Sequence, residues 1–451
     1  APVSWDLPGQ VVNENTLVTP KATVINNGLN TETFTVTCTI GDTYTNTQTV
    51  SGLAMGMTQQ VSFAPLTPAL WTASLVTVTT NLSMDEVTEN DTLQDVLICL
   101  PLDTEGLAEN VFTDQFVQFN LATPGTMYNL ANSPTVTNFM AGADWANGKW
   151  LGCEYDNGTL ATDNFWEINA MTGASTILGE MGAAIMGIAY DDNNNILYGT
   201  DGYDLYTMNV NTGVATYVDS LWYNLEGTSY SLANIGGLMI DIAYDNFTNT
   251  LYGIDLGNDC LWTINPTTRE LTLIGFMGID INYAQDAAFD QDNGLLFLAG
   301  YAGGGALYWI DTEYGGAYKV GNFPGNAEVT AFAIPYGLIS VPEVTIASNG
   351  TISWAPVNGA IKYSIYKATD PYGTFSWYAD VYGTSWTDPN FTTDAKAFYK
   401  VTAVGGMRNA NRQEIRYSQP IQHKGNLNRQ PRYNKGLANP SIMPTKSNLN
   451  K

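Results

Sequence analysis

Apolar and polar residues alternate along most of the chain, and helical spacing is almost absent. In "ETFTVTCTI" the apolar positions Phe34, Val36, Cys38 and Ile40 recur every second residue, which places them on one face of a strand. Similar runs follow at "TQTVSGLAMGMTQQVSF" and "TLQDVLICL", each bounded by Gly, Asn or Asp. Short strands at this spacing predict an antiparallel sandwich for residues 1–103.

Residues 110–337 repeat a longer pattern. "MGIAYDDNNNILYGTDGYDLYTMNVNTGVATYV" begins at Met186, "IDIAYDNFTNTLYGIDLGNDCLWTINPTTRELTLI" at Ile240, and "QDAAFDQDNGLLFLAGYAGGGALYWIDTEYGGAYKV" at Gln285. A looser copy begins at Gly142, and Gly152, Gly199, Gly253 and Gly300 take equivalent places. Each copy reads as four strands, the unit of a β-propeller. A fifth unit is assembled from both ends, with Val329–Gly337 as the inner strand and Gln115–Leu130 as the outer ones. This predicts five blades, with six as the alternative. Trp145, Trp150, Trp166 and Trp262 fall on strand-like segments and are expected in the core.

Residues 338–422 contain "TISWAPVNGAIKYSIYKATDPYGTF" and "AFYKVTAV", and Trp354, Tyr363, Ile365 and Tyr399 fit a second sandwich. Residues 423–451 carry six basic side chains, no acid, and Pro431, Pro440 and Pro444. No alternation of useful length occurs there, so a disordered linker or a strap that orders on a partner is expected.

Two segments resemble known families. "ATVINNG", "FTVTCTI", "GMTQQVSF" and "END" in the first domain look like a CARDB-type bacterial Ig-like domain. That resemblance implies a multidomain bacterial surface protein, of the kind exported by the type IX secretion system. Residues 338–422 resemble a fibronectin type III domain, which implies a spacer or adhesive module. The expected fold class is therefore all-β: Ig-like sandwich, propeller, fibronectin-like sandwich and basic tail.

Composition narrows the function. Charged residues make up only 13% of the chain, about half the usual share, so Asn, Thr, Ser and Gly must cover much of the surface. This suits an extracellular protein. The start "APVSWDLP" reads as a mature chain after processing. The net charge of −26 is also segregated. Residues 406–451 hold nine of the 17 Lys and Arg with the single acid Glu414. The acidic remainder would repel nucleic acid, and no apolar run is long enough for membrane insertion. The tail, through Lys424, Arg429, Arg432, Lys435 and Lys446, would be attracted to the acidic body of another copy, giving head-to-tail homopolymers.

Candidate chemistry is sparse. The only histidine, His423, begins the tail, so a Ser-His-Asp or Cys-His centre inside the fold is excluded. Asp241 and Asp286 occupy the same repeat position on inner strands. Read as solvated channel residues, they need no ligand; as a site, they would hold Ca2+, and as an acid–base pair they would hydrolyse glycosides. No other cofactor is expected. The acidic turns "YDDNNN", "YDNFTN" and "FDQDNG" suit tight turns for backbone reasons. Trp222, Tyr223 and Tyr230 lie in a connection between repeats, where they either stack on a glycan or pack on a neighbouring surface. Cys38 and Cys99 are the candidate disulfide, with buried free thiols as the other reading. Three functions follow in order: a self-assembling subunit of a surface filament, sheath or layer; a surface adhesin for glycan or protein; and a secreted glycoside hydrolase.

Overall fold

A computed structural model describes residues 1–136, 139–155, 163–336, 342–357, 360, 362–371, 373–391, 396–404 and 415–418. The basic tail, with its five assembly residues and His423, lies outside them. The fold is all-β, and its helical elements within the described residues are short 3-10 turns.

The first domain packs a three-stranded sheet (Pro2–Leu7, Lys21–Ile25, Thr58–Ser62) on a larger one. The larger sheet contains Glu32–Ile40, Tyr44–Leu53, Thr72–Asn81 and Thr92–Leu100. Phe34, Val36, Cys38 and Ile40 are buried together with Val24, Val61 and Val78, as their alternation requires.

Five sheets follow, each with a core of four antiparallel strands. Sheet I is Phe139–Ala146, Lys149–Tyr155, Asn164–Ile168 and Ser175–Glu180. Sheet II is Gly187–Asp191, Ile196–Thr200, Asp204–Met208 and Ala215–Ser220. Sheet III is Met239–Asp245, Thr250–Asp255, Cys260–Ile264 and Glu270–Phe276. Sheet IV is Asp286–Asp290, Leu295–Tyr301, Gly305–Ile310 and Ala317–Asn322. Sheet V joins Val329–Ala333 to Glu105–Asn110, Gln115–Asn120 and Tyr128–Asn129. The first strand of each sheet lies beside the first strands of its neighbours, and sheet V meets sheet I, so the inner strands form a closed ring. Joining both chain ends in sheet V leaves the ring without an open edge between first and last units.

The turns explain why these sequences repeat. Asn195, Asn249 and Gly294 take the same hairpin position with φ of 55°, 55° and 73°. Asn and Gly tolerate that left-handed backbone best. Gly142 and Gly187 serve a different need. A Cβ on Gly142 would sit 2.5 Å from the Met186 carbonyl oxygen, and one on Gly187 would sit 2.6 Å from Asp241 Cα. The inner strands therefore touch backbone to backbone.

The described residues between 342 and 404 form two three-stranded sheets around Ile352, Trp354, Tyr363, Ile365 and Val401. Arg416–Tyr417 then returns to pair in parallel with Thr72–Ala73 of the first domain. The Tyr417 hydroxyl donates to Asp311 at 2.6 Å. One apolar cluster runs from Val11, Trp71 and Leu100 into Phe119, Trp309 and Phe332 of the ring, so the first domain and the ring share a core. Glu105–Asn110 falls between the sequence boundaries expected at 103 and 110 and supplies the second strand of sheet V.

Candidate functional site

The ring's acids converge at its centre. Asp241 is the third residue of the inner strand of sheet III and Asp286 begins that of sheet IV, and both are 0% exposed. Asp286 Oδ2 accepts the backbone N–H groups of Ala143 at 2.8 Å and Phe332 at 2.6 Å. The Ala287 N–H reaches both Asp241 Oδ2 at 2.6 Å and Asp286 Oδ1 at 3.0 Å. Asp286 thus ties sheets I and V to sheet IV, and Asp241 ties sheet IV to sheet III. Inner strands of neighbouring sheets make no ladder with each other, and these carboxylates take up N–H groups that a ladder would have paired.

The expectation of solvated channel positions is corrected here. Gly142 and Gly187 let the inner strands approach backbone to backbone here, and neither carboxyl group has exposed surface. Burial, together with the nearness of the two groups, raises the titration of the Asp241–Asp286 pair above the usual carboxylate range. Such a pair titrates as a unit. Neither side chain meets solvent in this structure. Among the described residues no group of three or more His, Cys, Asp or Glu is arranged to hold a metal ion.

Two further acids behave similarly. Burial pushes Asp144 up to about 7, although the N–H groups of Tyr190 and Trp145, each at 2.7 Å, favour its ionised form. Burial also pushes Glu328 up to about 7, while the Ala284 N–H at 3.0 Å pulls the other way. Glu109 is fully buried and accepts the Met140 N–H at 2.8 Å. It sits in "EGLAEN", whose polarity reads as a loop, so nothing in the sequence marked it. Asn246 and Gln291 were equally silent. The Asn246 side chain accepts the Asp192 N–H and donates to the Tyr190 carbonyl, and Gln291 donates to the Tyr244 carbonyl. These amides stitch sheets II, III and IV side by side.

The acidic turns are used locally. Asp191 accepts from the Asn194 N–H, Asp245 from the Phe247 N–H and the Thr248 hydroxyl, and Asp290 from the Asp292 and Asn293 N–H groups. Each carboxylate closes its own turn.

The Trp222 connection is a hairpin, Trp222–Leu225 with Thr228–Ser231, added in parallel to the outer strand of sheet III. Trp222 Nε1 donates to the Thr268 carbonyl at 2.8 Å, and Tyr223 packs edge-on against Trp262 with ring centroids 5.2 Å apart. Tyr230 packs against the same core. The three aromatics cover the chain's own sheet. Trp145, Trp150, Trp166 and Trp262 are buried, as expected.

The disulfide between Cys38 and Cys99 is corrected. All four cysteines are free and buried. Cys38 lies opposite Val78, and Val78 lies opposite Leu93 in the next strand. Cys99 is six residues further along, about 20 Å of strand, far outside disulfide reach.

The first domain ends in loops that enclose a cleft. Ala1, residues 25–30, Glu32, Phe34, Thr80, Leu82, residues 84–87 and Asn90 line a cavity of about 440 Å³. Leu29 and Met84 at its edge are 88% and 95% exposed.

The fold therefore defines an all-β chain whose N-terminal domain is Ig-like, and residues 3–96 match the CARDB family. No curated protein matches the chain significantly. Among solved structures, the chain is similar to a protein of unknown function from Bacteroides thetaiotaomicron VPI-5482, with 12% identity, 80% of this chain and 96% of that one covered, and a TM-score of 0.30. It is also similar to an auxiliary nutrient binding protein from Bacteroides ovatus ATCC 8483, with 12% identity, coverage of 69% and 84%, and a TM-score of 0.32. A chain of a nidogen/laminin complex aligns with 11% identity, coverage of 51% and 98%, and a TM-score of 0.35. No helix among the described residues is long and apolar enough to cross a membrane.

Proposed function

We propose that this chain is a non-catalytic extracellular structural protein of the bacterial cell surface, a subunit that assembles with its own copies into a filament, sheath or surface layer. In this reading residues 1–103 are the Ig-like domain and residues 110–337 a five-bladed β-propeller. Residues 338–422 are a fibronectin type III-like domain, and residues 423–451 are an assembly tail. The observation that carries the reading is the apolar cluster shared by the first domain and the ring, reinforced by the return strand Arg416–Tyr417. A shared core makes the two move as one body, as a load-bearing subunit needs and a flexible string of modules lacks. The charge asymmetry supplies the contact, since residues 423–451 carry six basic side chains and no acid against an acidic body. The glycosidase alternative is not retained, because Asp241 and Asp286 meet no solvent and are bonded to backbone.

Negative-stain microscopy of the full chain beside residues 1–422, in low and high salt, tests this. Every described contact lies within the shorter chain. Filaments or sheets from the full chain alone, dispersed by salt, are expected. Single particles from both would overturn the reading.

A monomeric adhesin is the second reading. On the ring, Phe112 and Tyr283 are 46% and 49% exposed and both contact Tyr301 edge-on, an aromatic group fit to meet a glycan or protein. Binding on a glycan array that is lost in Tyr283→Ala would favour it.

A further inference from the structure

The tip of the first domain is built unlike the rest of the molecule. Asn26 is buried, and its side chain donates to the carbonyls of Asn30 and Leu53 at 2.8 and 2.7 Å and accepts the Gly28 N–H. This fixes a loop that holds Leu29 in solvent. The Asn26 backbone also bonds Met57 and Gly56, which brings exposed Met55 and Met57 alongside. Across the cleft stand Met84 and Val87, both exposed, with Phe34 buried beneath. Large apolar side chains clustered this way mark an interaction surface. The rim is acidic on balance: Glu32, Asp85 and Glu86 line the cleft, against the Ala1 amino group, which donates to the Ile25 carbonyl, and no Lys or Arg.

One segment of this chain has the complementary composition. Residues 423–451 set Leu427, Leu437, Ile442 and Met443 among Lys424, Arg429, Arg432, Lys435 and Lys446, with no acid. Its approach is also suitable. Arg416–Tyr417 runs parallel to Thr72–Asn81, whose far end reaches the cleft at Thr80. That path is about 30 Å, while residues 419–451 extend to about 110 Å. The cleft is within range both on the same chain and on a neighbour.

We propose that the acidic, apolar cleft at the tip of the first domain is the docking site for residues 423–451. The inference deepens the assembly reading above by naming the surface on which the tail seats. Apolar tail residues enter the cleft between Leu29 and Met84, and the basic ones face Glu32 and Glu86.

The test uses the full chain with a photoreactive benzophenone side chain replacing Met84, prepared in isotopically light and heavy forms and irradiated as a mixture. Cross-links from position 84 to peptides within residues 423–451 are expected. They should fall several-fold in high salt and in the full-chain variants Glu32→Lys/Glu86→Lys and Arg429→Glu/Arg432→Glu/Lys435→Glu. The tail variant changes only residues outside the described fold, and near-UV circular dichroism confirms that the cleft variant is folded. Cross-links elsewhere only, no cross-links, or yields unaltered by both charge reversals would overturn the proposal. Light–heavy links are what the assembly reading requires. Links confined to single chains would uphold the cleft and overturn that reading.

Discussion

The ring and the tip of the first domain misplace opposite kinds of residue. The ring puts carboxylates where apolar side chains are expected: Asp241, Asp286, Glu109 and Glu328 are all buried. The tip puts Leu29, Met55, Met57 and Met84 where polar side chains are expected. In the ring every such acid receives a backbone N–H from a strand of another sheet or, for Glu328, from the connection entering the inner strand of sheet IV, so the departure is resolved within the fold. At the tip nothing in the described fold covers the apolar side chains. A buried acid with backbone partners is architecture; an exposed apolar group with an acidic rim awaits a partner.

The largest effects of substitution are expected in the ring. Gly187→Ala places a methyl group 2.2 Å from Asp241 Oδ1, with backbone behind it, and should cost about 3 kcal/mol or more or prevent folding. Urea denaturation of the full chain measures this. Asp286→Ala leaves the Ala143 and Phe332 N–H groups buried without an acceptor and should cost about 3–5 kcal/mol. Asp286→Asn keeps one acceptor oxygen and should cost less than half as much. Equal losses in the two variants would show that the backbone bonds do not matter.

Titration sharpens the same point. Asp144 and Glu328 are held up at about 7, against about 4 in an unfolded chain. Above about pH 4 the folded state therefore holds protons that the unfolded state releases. Their contribution to stability is full below that pH, declines as pH rises through about 7, and then levels off. The melting temperature should fall between about pH 5 and about pH 8, and a rise over that interval would contradict the raised titration of half-buried Asp144 and of buried Glu328.

The tip should respond in the opposite way. Leu29→Ser and Met84→Ser remove side chains that are 88% and 95% exposed, so stability should change by less than about 0.5 kcal/mol. Smallest of all is the effect of reductant: with four free cysteines, dithiothreitol should leave the melting temperature unchanged. A fall would show that a disulfide exists.

Much of this architecture is visible in the sequence, because period and turn chemistry act locally. The alternation at Phe34, Val36, Cys38 and Ile40 predicts its buried face. The repeat places Gly152, Gly199 and Gly253 on the second strands of sheets I to III, but Gly300, expected to be equivalent, lies two residues beyond Leu298, which takes that place in sheet IV. The inner strand Val329–Ala333 and the outer strand Gln115–Asn120 of sheet V are legible from both ends, although Glu105–Asn110 lies between them. What escapes depends on contacts between distant elements. "EGLAEN" has no alternation, yet it is a strand because both neighbours in sheet V pair with it. Arg416–Tyr417 is too short to announce itself and is defined only by Thr72–Ala73. Asp241 and Asp286 are legible as paired positions. Their burial is not, since it depends on how closely Gly142 and Gly187 let the inner strands approach. The tip is illegible for a simpler reason: Leu29 and Met84 look like ordinary loop residues until two loops bring them to one cleft.

Sedimentation velocity in low salt tests the division between architecture and interface most directly, comparing the full chain with its Leu29→Ser/Met84→Ser/Glu86→Lys variant. The account predicts large assemblies from the unaltered chain, and monomers from the variant with an unchanged melting temperature. Assemblies of equal size from both would contradict it and return the tip to ordinary surface.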